Sequence, residues 1–236
     1  MVIGGLQKVT LVDYPGKIAC TVFLSGCNFR CPFCYSKELV LPEEIRIHPQ
    51  IDEDYFFHFL DGKNNLLEGC VLCGGEPTIY GQELVDFTRK IKEKEFFVKL
   101  DTNGTNPDVI KKLIDEKLVD YIAMDIKAPL NKEKYEINSG TKGVALEKIK
   151  ESIFLIKNSG INYEFRTTVV HGLHSREDII QMAEDISPAD KYYLQNFRAE
   201  KGVIDSKFDN VKPFEDDFMK SIEEEIKNKF KVFKIR

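Results

Sequence analysis

The stretch IACTVFLSGCNFRCPFCYS, residues 18–36, decides the architecture. Residues 18–24 are apolar and lack strict polar alternation, which is how a strand buried on both faces reads. Ser25 and Gly26 end that run and open a loop with three cysteines, Cys27, Cys31 and Cys34, spaced Cys-x3-Cys-x2-Cys. Three thiolates on one short loop can hold a cubane iron–sulfur cluster through three of its four irons. A cluster that only carries electrons normally has four cysteine ligands. A site one ligand short keeps a position open for chemistry. Zinc, or a fragment of a ferredoxin, would also suit the spacing, but each needs a fourth ligand close by.

Working outward, strand-like runs recur at residues 69–73, 97–101, 121–126, 163–170 and 191–196. Helical periodicity fills the intervals. Leu84, Phe87 and Ile91 recur at three and four, as do Ile110, Leu113, Ile114 and Leu118. Leu146, Ile149, Ile153 and Ile156 repeat the pattern, and Phe218, Ile222 and Ile226 close it. Asn106-Pro107-Asp108 predicts a cap followed by proline at the first helical position. Residues 157–160, Lys-Asn-Ser-Gly, predict a helix stop. Such alternation implies a parallel sheet with helices outside. Six units are too few for the closed eight-stranded barrel. The predicted fold is therefore α/β, a partial (β/α)6 TIM-like barrel of parallel strands, open on one side. It is expected to form a single domain over residues 1–236, with its core at about 15–200 and a helix and strand at 214–236. The longer connections at 127–143 and 197–213 are candidate functional loops.

The chain has 236 residues, enough to bury a substantial core. It carries 34 basic and 39 acidic residues, a net charge of −5, so it lacks the basic footprint of a nucleic-acid binder. No apolar run reaches the length of a membrane span. Residues 1–17 lack a charged leader followed by a long apolar stretch, so a cytoplasmic location is expected. There, six cysteines are poor candidates for disulfides. Cys20, Cys70 and Cys73 are expected to pack in the core. Residues i and i+3 on a strand face opposite ways, so Cys70 and Cys73 cannot chelate together. His171 and His174, flanking Gly172, are expected as surface-loop histidines.

In parallel α/β folds ligands sit at the carboxyl ends of strands. The unusual polar residues fall there. Ser25-Gly26 ends the first strand, Gly74-Gly75-Glu76-Pro77 the second and Asp101-Thr102-Asn103-Gly104 the third. The fourth carries Asp125 and Lys127, the fifth Glu164, Arg166 and Thr168, the sixth Gln195 and Asn196. All are predicted to converge on one mouth. Arg166 and Lys127 can pair a carboxylate. Asp101 suits ribose hydroxyls or a cation, and the glycine pair lets main chain approach a ligand closely. Each motif alone also reads as a turn or a buried ion pair. Their recurrence at every strand end, downstream of a three-cysteine loop, argues for a site.

On these residues the chain resembles the radical S-adenosylmethionine enzymes. The segment LVDYPGKIACTVFLSGCNFRCPFCYS, then GGEP, DTNG, MDIK and FRTTVVHGLH, carry the resemblance across about residues 5–198. It is most similar to the activating enzymes of glycyl radical proteins, in the branch that activates anaerobic ribonucleoside-triphosphate reductase. The resemblance implies the same partial barrel. It also implies a [4Fe-4S] cluster on Cys27, Cys31 and Cys34, whose fourth iron takes the amino and carboxylate groups of S-adenosylmethionine. Phe33 would lie near the adenine, and Gly74, Gly75 and Glu76 would hold the methionine amino group. Asp101, Thr102 and Asp125 match positions around a monovalent cation beside the methionine carboxylate, with Lys127 and Arg166 as polar contacts to the cofactor. Reductive cleavage would yield a 5′-deoxyadenosyl radical that takes a hydrogen from a partner's backbone glycine. An anaerobic ribonucleotide reductase is the implied partner, and a flavodoxin or ferredoxin the implied electron donor. The chain departs from the family pattern at Asp13-Tyr14-Pro15-Gly16-Lys17, at Tyr35-Ser36 and at His171. Two other readings stand beside this one: a radical enzyme acting on a small molecule, as 7-carboxy-7-deazaguanine synthases do, and a non-catalytic iron–sulfur or zinc module.

Overall fold

A computed structural model describes residues 1–63, 65–199 and 202–236. Eight strands lie side by side in chain order: β1 (Ile3–Thr10), β2 (Ala19–Leu24), β3 (Gly69–Gly74), β4 (Phe97–Thr102), β5 (Tyr121–Asp125), β6 (Asn162–Val169), β7 (Ala189–Asn196) and β8 (Phe230–Ile235). Pairing is parallel from β2 through β8, whereas β1 runs antiparallel to β2. β1 and β8 are the two edges, so the sheet is a partial barrel open between them. β2–β7 are the six strands expected from the apolar runs. β8 falls in the expected carboxyl-terminal segment. β1 adds a strand to the six-unit reading.

The helices are α1 (Lys37–Val40), α2 (Pro42–Ile47), α3 (Glu53–Leu60), α4 (Gln82–Glu93), α5 (Pro107–Asp115), α6 (Lys132–Ser139), α7 (Leu146–Asn158), α8 (Arg176–Ile186) and α9 (Asp216–Ile226). Pro107 opens α5 as expected, but the Asn106 side chain does not cap it; its Nδ2 donates to Thr78 Oγ1 at 2.9 Å. α7 ends before Gly160, whose φ of +72° suits only glycine well. Among the described residues no helix is long and apolar enough to cross a membrane.

The two faces of the strands meet different surroundings. Cys20, Val22, Leu24, Cys70, Leu72 and Leu100 join helix residues such as Leu84, Phe87 and Ile110 in one large apolar core. Each fully buried side chain of this kind contributes about 1.5–3 kcal/mol, and this layer holds the helices on the sheet. On the inner face, near the strand starts, Tyr14, Ala19, Val71 and Tyr121 form a second, small cluster. Tyr14 and Tyr121 meet edge to face with centroids 6.0 Å apart. This plug fills the inner face near the strand starts, and its Val71 also lines the cavity described below.

Candidate active site

The cysteine loop leaves β2 at that carboxyl end, and both long connections brace it. Within residues 127–143, α6 delivers the Ser139 carbonyl to the Arg30 amide at 2.8 Å. Gly140 sits so close that a Cβ there would lie 2.0 Å from the Arg30 carbonyl oxygen. Tyr135 packs edge-on against Phe29, centroids 6.3 Å apart. From the other side, the Ile204 amide donates to the Cys34 carbonyl at 3.0 Å and the Asp205 amide to the Pro32 carbonyl at 2.9 Å. Of the 197–213 connection, Glu200 and Lys201 lie outside the described residues.

The Gly74-Gly75 pair serves strand packing first. A Cβ on Gly74, at φ +116°, would meet the Leu24 carbonyl at 2.3 Å, and one on Gly75 the Gly26 carbonyl at 2.0 Å. The ends of β2 and β3 are thereby drawn together, with the Gly75 amide on Leu24 O at 2.8 Å and the Glu76 amide on Gly26 O at 2.8 Å. Glu76 is buried, and its carboxylate accepts three hydrogen bonds at Oε1 and one at Oε2. It accepts from the Thr78 amide at 3.0 Å, Thr78 Oγ1 at 2.5 Å, Thr102 Oγ1 at 2.7 Å and the Asn103 amide at 2.6 Å. Glu76 thus ties the end of β3 to the end of β4. Burial still pushes its carboxyl above the usual range. Asn103 continues the chain of contacts to the cysteine loop through Asn28 Oδ1 at 2.9 Å.

These ends surround a cavity of about 540 Å³, a volume suited to a cofactor-sized molecule. Its lining includes Cys27, Cys31, Phe33, Cys34, Gly74, Gly75, Glu76, Asp101, Thr102, Asp125, Lys127 and Arg166. The twelve residues to which the family resemblance gave a role therefore line one chamber. The same chamber holds a charge cluster. Arg166 Nη1 donates to Asp101 Oδ2 at 3.0 Å and its Nε to Asp125 Oδ1 at 2.9 Å. Lys127 Nζ reaches Asp125 Oδ2 at 3.0 Å, and buried Lys99 pairs with Asp101. Burial alone would raise both carboxyls, but the Arg166 charge, with Lys127 at Asp125 and Lys99 at Asp101, holds each below the usual carboxylate range. Lys127 and Arg166 line the cavity beside Asp101 and Asp125, so two cationic side chains are within reach of an anionic ligand there.

Several expected placements need correction. Glu164 does not reach the cavity; it lies deeper in the barrel, accepting from the Tyr121 hydroxyl at 2.8 Å beside Arg236. Asn196 points to the Phe214 main chain, 2.8 Å from its carbonyl. Ser25 is buried with no partner for its hydroxyl. Cys20 and Cys70 are core residues, with sulfurs 3.5 Å apart, but Cys73, on the opposite face of β3, lines the cavity. His171 is exposed as expected, whereas His174 is buried. Sequence reasoning also missed Gln7, Thr21, Phe23 and Tyr35 in the cavity wall. Gln7 belongs to β1, which the apolar runs did not mark. Thr21 and Phe23 were visible only as alternate residues of β2.

The thiols fit a polynuclear metal group. All three line one cavity. Yet no three His, Cys, Asp or Glu side chains among the described residues come together closely enough to hold a single ion. Three soft thiol donors from one loop suit iron–sulfur ligation by their chemistry. Burial pushes Cys27 up to about 12, Cys31 to about 11, and Cys34 upward, with the Lys127 ammonium opposing the shift at each. Metal loading must therefore displace protons from the thiols.

The profile of the Radical SAM superfamily matches residues 21–186, and the chain belongs to that superfamily. Within it, the chain belongs to the glycyl-radical enzyme activating enzymes. It is 35% identical over 208 residues to a candidate glycyl-radical enzyme activating enzyme of Methanocaldococcus jannaschii, covering 87% of this chain and 83% of that one. It is 24% identical to the pyruvate formate-lyase-activating enzyme of Clostridium pasteurianum, over 95% and 96% of the two chains. Among solved structures, Escherichia coli QueE matches with TM-score 0.56 and 16% identity, covering 100% of this chain and 94% of that one. Streptococcus suis SuiB matches with TM-score 0.67 and 14% identity; the chain covers 48% of its length and 92% of this chain is matched. These two show the fold. The protein is thus a radical SAM enzyme, and its cofactors are a [4Fe-4S] cluster and S-adenosylmethionine.

Proposed function

We propose that this protein generates the glycyl radical of an anaerobic ribonucleoside-triphosphate reductase, with residues 1–236 working as one cytoplasmic domain. The observation that carries the reading is the chamber itself, where three thiols and the cationic side chains of Lys127 and Arg166 line one cavity. In this reading Cys27, Cys31 and Cys34 would hold the cluster, and S-adenosylmethionine would bind beside it in the same chamber. Together the two would supply the one-electron reductive chemistry needed to take a hydrogen atom from a backbone glycine of the reductase.

The chain's own residues bind and orient. Lys127 and Arg166 attract the methionine carboxylate, and the Lys127 ammonium favours the thiolate form of the three cysteines. The methionine ammonium falls to Gly74, Gly75 and Glu76, where Oε2, with one protein donor, keeps acceptor capacity. Thr102 acts through Glu76, to which it donates. Phe33, edge-on to Phe197 at 6.0 Å, offers a wall for the adenine. A monovalent cation at Asp101 and Asp125 would compete with three cationic side chains already there. The tyrosine-lined plug excludes water from below. The open side between β1 and β8 admits the partner's glycine loop, and a flavodoxin or ferredoxin supplies the electron.

Anaerobic reconstitution tests this. Dithionite-reduced protein should cleave S-adenosylmethionine to 5′-deoxyadenosine and methionine, and with the reductase should give a glycyl-radical doublet by electron spin resonance. Cleavage without the doublet, together with turnover of a purine-like substrate, would move the assignment to a 7-carboxy-7-deazaguanine synthase. No cleavage, with a stable zinc stoichiometry, would leave a binding module.

A further inference from the structure

His174 is absent from the cavity wall, yet both of its ring nitrogens are committed. It is 4% exposed and immediately precedes α8, whose Ser175/Asp178 capping box fixes the turn. The Val170 amide donates to Nδ1 at 3.0 Å. Nδ1 therefore carries no proton, and the ring is the neutral Nε2–H tautomer. Nε2 then donates to the Lys127 carbonyl at 2.9 Å. Burial holds the ring below the ordinary imidazole value, which keeps it neutral.

Lys127 needs such support. The ladder between β5 and β6 ends at Ile126, whose amide donates to Arg166 O at 2.8 Å and whose carbonyl accepts from Thr167 Oγ1 at 2.9 Å. Lys127 is the first residue past that ladder. Its amide donates to the Tyr135 hydroxyl at 3.4 Å, and its carbonyl is held by His174. Tyr135 in turn packs on Phe29 of the cysteine loop. A long, flexible side chain is aimed by its backbone, and this backbone is gripped at both polar atoms. The aim matters because the ammonium pairs with Asp125 at 3.0 Å in the cavity that the three thiols also line.

We propose that His174 is a positioning residue that, through the Lys127 carbonyl, fixes where the Lys127 ammonium enters the cavity and so sets the affinity for the carboxylate end of S-adenosylmethionine. This rests on the reading of the cavity given above. Two substitutions separate the ring's contacts. His174→Asn keeps an acceptor for the Val170 amide but does not reach Lys127. His174→Gln extends a donor to the Lys127 carbonyl.

Calorimetric titration of the anaerobically reconstituted protein with S-adenosylmethionine reads the effect. His174→Asn should weaken binding about tenfold, the loss expected when one charge-assisted contact is misplaced. His174→Gln should stay within about twofold of the parent. In a Lys127→Met background, His174→Asn should add nothing, because residues acting through one another are not additive. Equal weakening in both backgrounds, or by both substitutions, would overturn the proposal. If the parent protein binds no S-adenosylmethionine, the reading of the cavity fails, and the clamp is decided separately in the metal-free protein. There, amide exchange across residues 126–130 should speed up in His174→Asn and not in His174→Gln; equal exchange in the two would overturn it.

Discussion

Asp101 and Asp125 share the cavity wall with Arg166 and Lys127, and these pairings decide what an anionic ligand meets there. Asp125 is the pivot, since it answers both Arg166 and Lys127. Asp125→Asn leaves two buried cations short of a partner and should cost about 3 kcal/mol at pH 7 in denaturant unfolding. The pH dependence has a fixed sign. A carboxyl held below its ordinary value in the fold stabilises above about pH 3.9 and loses that contribution as pH falls toward its folded value. The gap between Asp125→Asn and the parent should therefore narrow in unfolding titrations run below about pH 4. A second pair of variants probes the thiols. Cys31→Ser should abolish cluster loading, read as iron per chain after reconstitution, whereas Cys73→Ser should retain it although Cys73 faces the same cavity. The cysteine triplet and the strand-end residues were legible because spacing and local chemistry marked them. His174 was not, because the ring meets a carbonyl 47 positions away and HGLH by itself reads as a turn.

Elements were legible where burial was continuous along the chain. β2–β7 each present apolar residues to one face or both, and the apolar runs located all six. β1 is different. Its sequence, IGGLQKVT, is exposed through Gln7–Val9 and buried mainly at its ends, so no run stands out. α6 was hidden for a related reason. KEKYEINS buries only Tyr135, Asn138 and Ser139, which gives no apolar stripe at helical spacing. Its work is to brace the cysteine loop, and the contact point is glycine-dependent. Gly140→Ala would bring a Cβ to 2.0 Å from Arg30 O at a φ of +63°, so the helix end or the loop must move. That substitution should cost about 2 kcal/mol or more and make the reconstituted cluster more labile to chelator. Gly143→Ala is the control. It shares a positive φ of +74° but has nothing within 4 Å, so it should carry only strain of about 1 kcal/mol and leave cluster retention unchanged.

At the scale of the whole molecule, an incomplete barrel must meet two opposed needs. A macromolecular partner requires an opening, and radical chemistry requires a dry chamber. The chain separates them in space. The side between the edge strands β1 and β8 is open, while Tyr14, Ala19, Val71 and Tyr121 fill the inner face near the strand starts. Tyr14 comes from the β1–β2 connection, so the same segment that departs from the family pattern supplies the plug. Its ring is 2% exposed and lies over Gly69, where a Cβ would come within 3.0 Å of it. Tyr14→Phe should preserve the closure. Tyr14→Ala should cost about 3–5 kcal/mol, as large-to-small core substitutions do, and should open the chamber from below. Water and solutes reaching the cavity would then intercept the radical. In the proposed reaction this appears as uncoupling, with more 5′-deoxyadenosine formed per glycyl radical counted by spin resonance. Should the Ala and Phe variants give the same ratio, the plug serves stability alone, and protection of the radical would have to come from the partner's own loop filling the open side.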